Sequence, residues 1–358
     1  MEKSLGMRAW IPAVFLVAGS LAYASLPADA TGGDGAHEAS APAPAIPDSM
    51  LAAAIDRGGG PEVLTVHRLP VPAVRPGEVL IAVRAAGVGA WEVSTRQHPE
   101  AGTQFPLILG ADGAGTVVAV GPGVRDFAVG DRVYGTGEGF YAEYVAVRAG
   151  EVAQIPKGMG FTEAGVLAIS GLSALQGIDD VLQLKAGETL IIHGATGGVG
   201  TLAIQLARRR GIRVLATATT EEGLALASRL GADATVNART GDIAAAARRL
   251  APGGVDGVLG LAGGDALERC IDALRADGRG RVAYLYGMEP LPKPRYAIRM
   301  TLYSFIARTG ELERLNAAVA AGTLQVPIAA EFPLAEAAQA HSRLEAGHLL
   351  GKIVLRVP

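Results

Sequence analysis

The residues Thr189-Leu190-Ile191-Ile192-His193-Gly194-Ala195-Thr196-Gly197-Gly198-Val199-Gly200 place a buried-strand run, a glycine turn and a helix start in that order, and Thr201 to Arg210 continues the helix. That arrangement suits a pyrophosphate. In such a turn the middle glycine lets the backbone approach the phosphates, the last lets the helix pack close to the sheet, and the helix N-terminus supplies unpaired N–H donors. Gly197 and Gly200 fill those two places, and Ala195 stands where the first glycine would.

A glycine turn works only if a sheet and helices hold it, and the surrounding pattern supplies both. Strands are expected at Thr189 to His193, Arg213 to Thr217, Thr235 to Asn237, Val255 to Leu261 and Arg281 to Tyr286. Helices alternate with them at Gly198 to Arg210, Glu222 to Leu230, Asp242 to Leu250 and Asp265 to Arg275. This α/β alternation implies right-handed crossovers and a doubly wound parallel sheet, with ligand at the carboxyl ends of the strands. Upstream, Val63 to Val147 reads as short strands split by turns, including Val79 to Arg84, Gly115 to Val120, Arg132 to Tyr134 and Ala142 to Val147. That describes a mostly antiparallel β domain. A helical stretch at Phe161 to Leu182 joins the two. The tail, with helices at Leu312 to Ala321 and Ala335 to Leu344 and a strand at Lys352 to Val357, does not extend the alternation and is expected to return to the first domain.

Composition bounds the alternatives. A chain of 358 residues with 49% hydrophobic content and net charge −3 is large enough for about two domains and has no basic excess for nucleic acid. Aromatics make up only 5%, so the core must be aliphatic, as parallel strands under Ala- and Leu-rich helices require. The single cysteine, Cys270, excludes an intrachain disulfide and a multi-cysteine zinc site, and it reads as a small apolar helix residue.

At the N-terminus Lys3 and Arg8 precede an apolar run from Ala9 to Ala24 that ends in a small-x-small pattern, Ala22-Tyr23-Ala24. This reads as a signal peptide over residues 1–24, directing export to the periplasm or outside; an uncleaved membrane anchor or a misjudged start with a cytoplasmic protein are the alternatives. Residues 25–49, mostly Ala, Pro, Gly and Asp, read as a disordered linker.

From about Met50 to Pro358 the chain resembles the zinc-independent medium-chain dehydrogenase/reductases of the quinone oxidoreductase (zeta-crystallin-like) type. The resemblance rests on Ala85-Ala86-Gly87-Val88-Gly89, Gly110-Ala111-Asp112-Gly113-Ala114-Gly115, Val129-Gly130-Asp131-Arg132-Val133, Ala142-Glu143-Tyr144-Val145, the glycine turn, Leu230-Gly231-Ala232-Asp233 and Gly351-Lys352-Ile353-Val354-Leu355. It implies a Rossmann domain (172–296) inserted in a GroES-like, mostly β catalytic domain (50–171, resumed at 297–358). It also implies a homodimer that passes a hydride from NADPH to a quinone or enone.

Zinc-dependent relatives carry a cysteine and a histidine at the places that hold Gly89 and Ala111 in this chain, so no zinc is expected. Without a Lewis acid an alkoxide lacks its main stabilisation, whereas the charge developing on a conjugated acceptor is delocalised and needs only hydrogen-bond donors.

Cofactor choice turns on the end of the second Rossmann strand, Ala216-Thr217-Ala218-Thr219-Thr220, which has no acid to bind a ribose 2′-hydroxyl. Thr219 and Thr220 could donate to a 2′-phosphate, and Arg239 could pair with it, which favours NADPH over NADH. The lysine and tyrosine of the family are replaced by Gly223 and Ala238, and Glu221 and Glu222 either oppose a phosphate or serve as first-turn helix residues.

By the same resemblance Ser173 and the turn residues Gly194, Ala195, Gly197, Gly198, Val199 and Gly200 bind cofactor. Leu261, Gly263, Leu285 and Gly287 end strands near the nicotinamide, and Lys352 reaches the phosphates or is simply an edge-strand lysine. Trp91, Glu92 and Ser94 should line the substrate cleft. Trp91 either stacks a flat acceptor or packs under the domain edge, and Glu92 reads as a buried residue that fixes its loop. His193, His341 and His348 read as structural or solvent histidines. No catalytic residue stands out. The reading is thus an NADPH-dependent, metal-free reductase of quinones or activated alkenes, with a non-catalytic NADP(H)-binding protein of the same fold as the alternative.

Overall fold

Three sheets organise residues 46–322 and 324–358, the part that the computed structural model describes. The expected signal peptide and residues 25–45 of the expected linker lie outside the described residues. The chain runs through β1 (Ser49–Ile55), β2 (Leu64–Pro70), β3 (Glu78–Val88), α1 (Ala90–Gln97), β4 (Leu107–Ile108), β5 (Asp112–Val120), β6 (Arg132–Thr136), β7 (Tyr144–Arg148) and β8 (Val152–Gln154). Next come α2 (Phe161–Ala164), α3 (Leu167–Gln176), β9 (Thr189–His193), α4 (Gly198–Arg209), β10 (Arg213–Ala218), α5 (Glu221–Arg229), β11 (Ala234–Asn237), α6 (Ile243–Leu250), β12 (Gly257–Gly260), α7 (Asp265–Asp272) and β13 (Arg281–Leu285). The chain ends with β14 (Arg299–Tyr303), α8 (Thr309–Ala320), β15 (Ile328–Pro333), α9 (Ala337–Glu345) and β16 (Lys352–Arg356).

The first lobe is built on β3. This strand, buried along nearly its whole length, pairs antiparallel with β5, β7 and β16, so its Val and Ala side chains meet partners on both faces. The contact with β5 is close enough that a Cβ on Gly115 would stand 2.1 Å from the Ala82 carbonyl oxygen. Glycine is required there by space alone. Because β15 and β16 complete this seven-stranded sheet, the C-terminus returns to the lobe where the fold began.

The second lobe is a six-stranded parallel sheet in the order β11-β10-β9-β12-β13-β14, with helices on both faces. This is the doubly wound Rossmann arrangement. β9 shows why its sequence is apolar without alternation: Leu190 and Ile192 enter one core with α3 and α4, while Ile191 enters the other with α6 and α7. Burial on both faces replaces a period of two by a continuous run. Helix starts follow local chemistry, since the Thr220 hydroxyl accepts from the Gly223 N–H at 3.1 Å and the Asp242 carboxylate from the Ala245 N–H at 2.8 Å.

The sixth strand is a departure from the sequence pattern. β14 pairs parallel to β13 along its whole length, so the Rossmann sheet extends past residue 296, where the sequence pattern ended it. Its connection, Tyr286 to Ile298, carries Pro290, Pro292 and Pro294 and no helix, which hides it from a strand–helix alternation.

Candidate active site

The glycine turn joins β9 to α4 at the topological switch point, where β10 lies on one side of β9 and β12 on the other. Gly194 adopts φ +80°, a left-handed conformation that a side chain would strain. At the other end of the turn a Cβ on Gly200 would stand 2.5 Å from the Gly194 carbonyl oxygen. The helix is started by Gly197, and no side chain caps it, so the first-turn N–H groups of Gly198, Val199 and Gly200 are left for an anion.

The C-terminal strand is tied to this turn. Gly351 donates its N–H to the Thr196 carbonyl oxygen at 2.8 Å, and Gly197 and Gly351 form a parallel bridge. Lys352 therefore crosses the start of α4: a Cβ on Gly198 would meet its Cγ and Cδ at 2.5 and 2.4 Å. Its ammonium ends 3.4 Å from the point where a Gly89 Cβ would stand. One cation thus spans both lobes.

Between the lobes lies a cleft of about 1130 Å³. The wall from the Rossmann side contains Gly194, Gly197, Gly198, Val199, Gly200, Leu261, Leu285 and Tyr286; Ser170 and Ser173 come from α3, and Lys352 from β16. Facing them are Gly89, Trp91, Glu92, Ala111, Asp112 and Thr136 of the first lobe. Trp91, Glu92, Ser173, Leu261, Leu285, Lys352 and most of the turn were expected there from sequence.

Several expected residues stand elsewhere. Ser94 is exposed one helical turn beyond Trp91 and is not in the cleft wall. Ala195 is buried beneath the turn, its N–H bonded to the Thr217 carbonyl oxygen at 3.2 Å. Gly263 supports the loop after β13, since a Cβ there would stand 2.2 Å from the Pro290 carbonyl oxygen. Gly287 forms a left-handed turn at φ +83° in the same loop. Thr219, Thr220 and Arg239 group at the ends of β10 and β11, outside the main cleft wall. There the Arg239 guanidinium lies 2.9 Å from Nε2 of His348 on the C-terminal loop.

Trp91 does not pack under the domain edge. It is 58% exposed and faces Tyr286, with ring centroids 6.4 Å apart and planes tilted by 47°. Glu92, by contrast, is buried and accepts from the Gly89 N–H at 3.0 Å and the Ala111 N–H at 2.9 Å. It clamps the start of α1 to the approach of β5. Tyr286 and Asp112 were not singled out by sequence. Tyr286 had been absorbed into a strand end, and Asp112 into a motif that carried only the resemblance.

Asp112 is the perturbed acid of the cleft. Burial raises its carboxyl from 3.8 to about 6; Lys352 opposes the rise, Glu92 adds to it, and the Ile169 N–H at 3.4 Å lowers it again. His193 is held down to about 4 by burial and by Arg269, and its Nδ1 lies 2.8 Å from the Thr217 hydroxyl, so it is a neutral strand-end residue. Behind the cleft, the Tyr141 hydroxyl meets Nε2 of His341 at 3.2 Å, and the fully buried Arg96 pairs with Glu345 at 2.8 Å. Among the described residues no group of three His, Cys, Asp or Glu side chains is arranged to hold a metal ion.

Comparison with known proteins agrees with this geometry. Residues 75–157 match the family described as alcohol dehydrogenase GroES-like domain, and residues 230–355 match the one described as zinc-binding dehydrogenase. The chain is 30% identical over 331 residues to 2-haloacrylate reductase of a Burkholderia species, covering 86% of this chain and 98% of that protein. It is 31% identical over 322 residues to human quinone oxidoreductase, covering 86% and 97%. The crystal structure of Escherichia coli quinone oxidoreductase complexed with NADPH superposes with a TM-score of 0.78 at 25% identity, over 86% of this chain and 99% of that one.

Proposed function

This chain belongs to the quinone oxidoreductase family of the medium-chain dehydrogenase/reductases and is an oxidoreductase, and we propose that it passes a hydride from NADPH to a quinone or activated alkene without a metal. The observation that carries the reading is the cleft itself: a glycine cradle and an uncapped helix N-terminus on one wall, and Gly89 and Ala111 on the other where zinc ligands would stand.

The cradle fits a dinucleotide, because the absence of a Cβ at Gly200 lets α4 pack directly on the backbone of the turn, and the free donors of α4 match a pyrophosphate. NADPH would supply the hydride from its nicotinamide. Gly197 to Gly200 would hold the diphosphate, with the Lys352 ammonium adding positive charge. Leu261 and Leu285, with the turns at Gly263 and Gly287, would form the nicotinamide side of the cleft. Thr219, Thr220, Arg239 and His348 would lie around the adenosine 2′-phosphate, and a 2′-phosphate pairs with Arg239 better than a 2′-hydroxyl does. On the acceptor, charge that develops after hydride arrival is delocalised over the conjugated system and needs donors more than a metal. The proton comes from water or from a weak donor in the cleft, where Asp112 has a carboxyl pushed up to about 6.

The test is oxidation of NADPH, and separately of NADH, against a panel of quinones, enones and 2-haloacrylates, with zinc content measured on the same protein. Saturable turnover with NADPH and no stoichiometric zinc is expected. Cofactor binding without turnover on the whole panel would support a non-catalytic NADP(H)-binding protein instead, and one zinc per chain would sink the metal-free mechanism.

Two further parts of the reading concern assembly and location. β14 is the outermost strand of its sheet, with Leu302 and Ile306 exposed, and a homodimer formed through this edge would cover both. Residues 1–24 are proposed to direct export, with cytoplasmic retention as the alternative. No helix among the described residues is long and apolar enough to cross a membrane.

A further inference from the structure

Away from the glycine turn, the ends of β10 and β11 gather a second set of polar groups. The Ala238 N–H donates to the Ala218 carbonyl oxygen at 2.7 Å, so Thr219 and Arg239 leave the sheet side by side. The loop between α9 and β16 reaches the same place. Gly351 on that loop donates to Thr196 of the glycine turn, and three residues earlier Nε2 of His348 stands 2.9 Å from a nitrogen of the Arg239 guanidinium. The His348 backbone holds the ring there with φ +52°, a left-handed conformation that histidine adopts more readily than most side chains. Its neighbour Gly347 has φ +70° and a carbonyl oxygen that accepts from Arg343 at 2.9 Å. A guanidinium can only donate, so Nε2 accepts and the ring in this pair is neutral, with its proton on Nδ1. Arg239 is exposed, and His348 is the one hydrogen-bond partner of its side chain among the described residues.

We propose that His348 is a specificity-determining residue for the 2′-phosphate of NADPH, taking up a proton as that phosphate binds, so that NADPH binding is proton-linked and NADH binding is not. This rests on the reading of the site as one for NADP(H). A phosphate oxygen is a stronger acceptor for a guanidinium than a neutral ring nitrogen, because both partners are then charged. A 2′-phosphate that takes Arg239 leaves Nε2 without its donor and beside a group carrying about two negative charges. A proton from solvent then turns the ring from an idle acceptor into a cation that donates to the phosphate. NADH brings only a 2′-hydroxyl, which exerts no such pull and leaves the Arg239–His348 pair in place. The charged groups on the adjoining elements are Glu221 and Glu222 opening α5, Asp242 capping α6, Arg269 of α7 bonded to the Ala238 carbonyl oxygen, Arg343 on α9 and Lys352 on β16. His348 is the one imidazole in this set, and imidazole is the side-chain type that exchanges a proton near neutral pH. His341, also on α9, is buried against Tyr141 and held down to about 4. Titration of Asp112 in the cleft acts on both cofactors alike and cancels when they are compared.

The experiment is calorimetric titration of the whole protein with NADPH, and separately with NADH, near pH 7.5 in two buffers of different ionisation enthalpy. The difference in apparent enthalpy counts the protons taken up. At this pH the free 2′-phosphate, whose second ionisation lies at about 6, has already lost most of its proton and masks little of the uptake. If the phosphate prefers the charged ring by about tenfold, NADPH takes up about 0.4 of a proton and its Kd is about threefold lower near pH 7 than near pH 8.5. NADH takes up none, and its Kd shows no such change. His348→Gln keeps an acceptor for Arg239 but cannot gain a proton, so the uptake should vanish and the Kd for NADPH should become level across this range. His348→Asn suits the left-handed backbone and should behave in the same way, which separates the proton from backbone strain. NADPH binding without uptake, equal uptake with NADH, or uptake unchanged in both variants overturns the role of His348 and leaves the NADP(H) site standing. Failure of both cofactors to bind saturably overturns the two together. The expected binding and uptake with no turnover of any acceptor would support the role of His348 and sink the reductase reading alone.

Discussion

Replacing Asp112 by Asn tests the electrostatics of the cleft through stability. The carboxyl is 1% exposed and is raised from 3.8 to about 6, so the folded protein holds this proton more tightly than the unfolded chain. For an acid shifted upward, ionisation works against folding. The penalty is absent below 3.8, grows through the window, and is complete above about 6, where a shift of about two units corresponds to about 3 kcal/mol. Asn has nearly the same shape and can still accept from the Ile169 N–H, but it has no charge to bury. Asp112→Asn should therefore be more stable than the parent by about 3 kcal/mol near pH 7.5 and by only about 1 kcal/mol near pH 4.5. His193 and His341, both held down to about 4 by burial, produce the opposite slope: their folded forms resist protonation, so stability is lost as pH falls from 6.5 toward 4. That slope is common to parent and variant and cancels in the difference. Urea denaturation of both proteins at the two pH values gives the comparison directly. A variant equally stabilised at both values, or destabilised near neutral pH, would refute a buried, ionising Asp112.

Other substitutions probe the remaining parts of the reading. Gly200→Ala would place a Cβ 2.5 Å from the Gly194 carbonyl oxygen, against backbone that cannot yield, and should weaken NADPH binding by calorimetry at least a hundredfold, about 3 kcal/mol. Gly198→Ala meets side chains alone, the flexible stem of Lys352 and the Ser170 Oγ at 3.0 Å, so a smaller loss is expected, and equal losses at the two positions would contradict the cradle. Arg239→Ala should raise the Kd for NADPH about tenfold, with a weaker salt dependence, and leave NADH almost unaffected; a parallel loss for NADH would remove the 2′-phosphate role. Leu302→Arg, on the outer edge of β14, should shift the mass measured by light scattering from dimer to monomer if that edge is the interface. Mass spectrometry of the mature chain should find an N-terminus at Ser25; a soluble cytoplasmic protein beginning at Met1 would overturn export.

What the sequence discloses and what it conceals divide along a physical line. β9, α4 and the glycine turn are legible because burial on both faces, an amphipathic helix and glycines required by close approach each leave a local pattern. β14 leaves none, since a strand entered through a proline-rich connection carries no helical period before it. Glu92 could be read as a loop-fixing acid because its partner Gly89 lies only three residues away, although its second partner, Ala111, could not be foreseen. The same distinction explains Asp112 and Tyr286. Their chemistry comes from neighbours far along the chain: Lys352 and Glu92 around the carboxyl, Trp91 opposite the ring. A residue whose environment is assembled from two lobes has no signature within its own segment, and only the folded cleft shows that the two exposed rings meet. The wall facing the glycine turn is therefore the part of the cleft that sequence reads least well, because residues such as Trp91 and Tyr286 meet there only through the fold, whereas the glycine turn is one continuous segment.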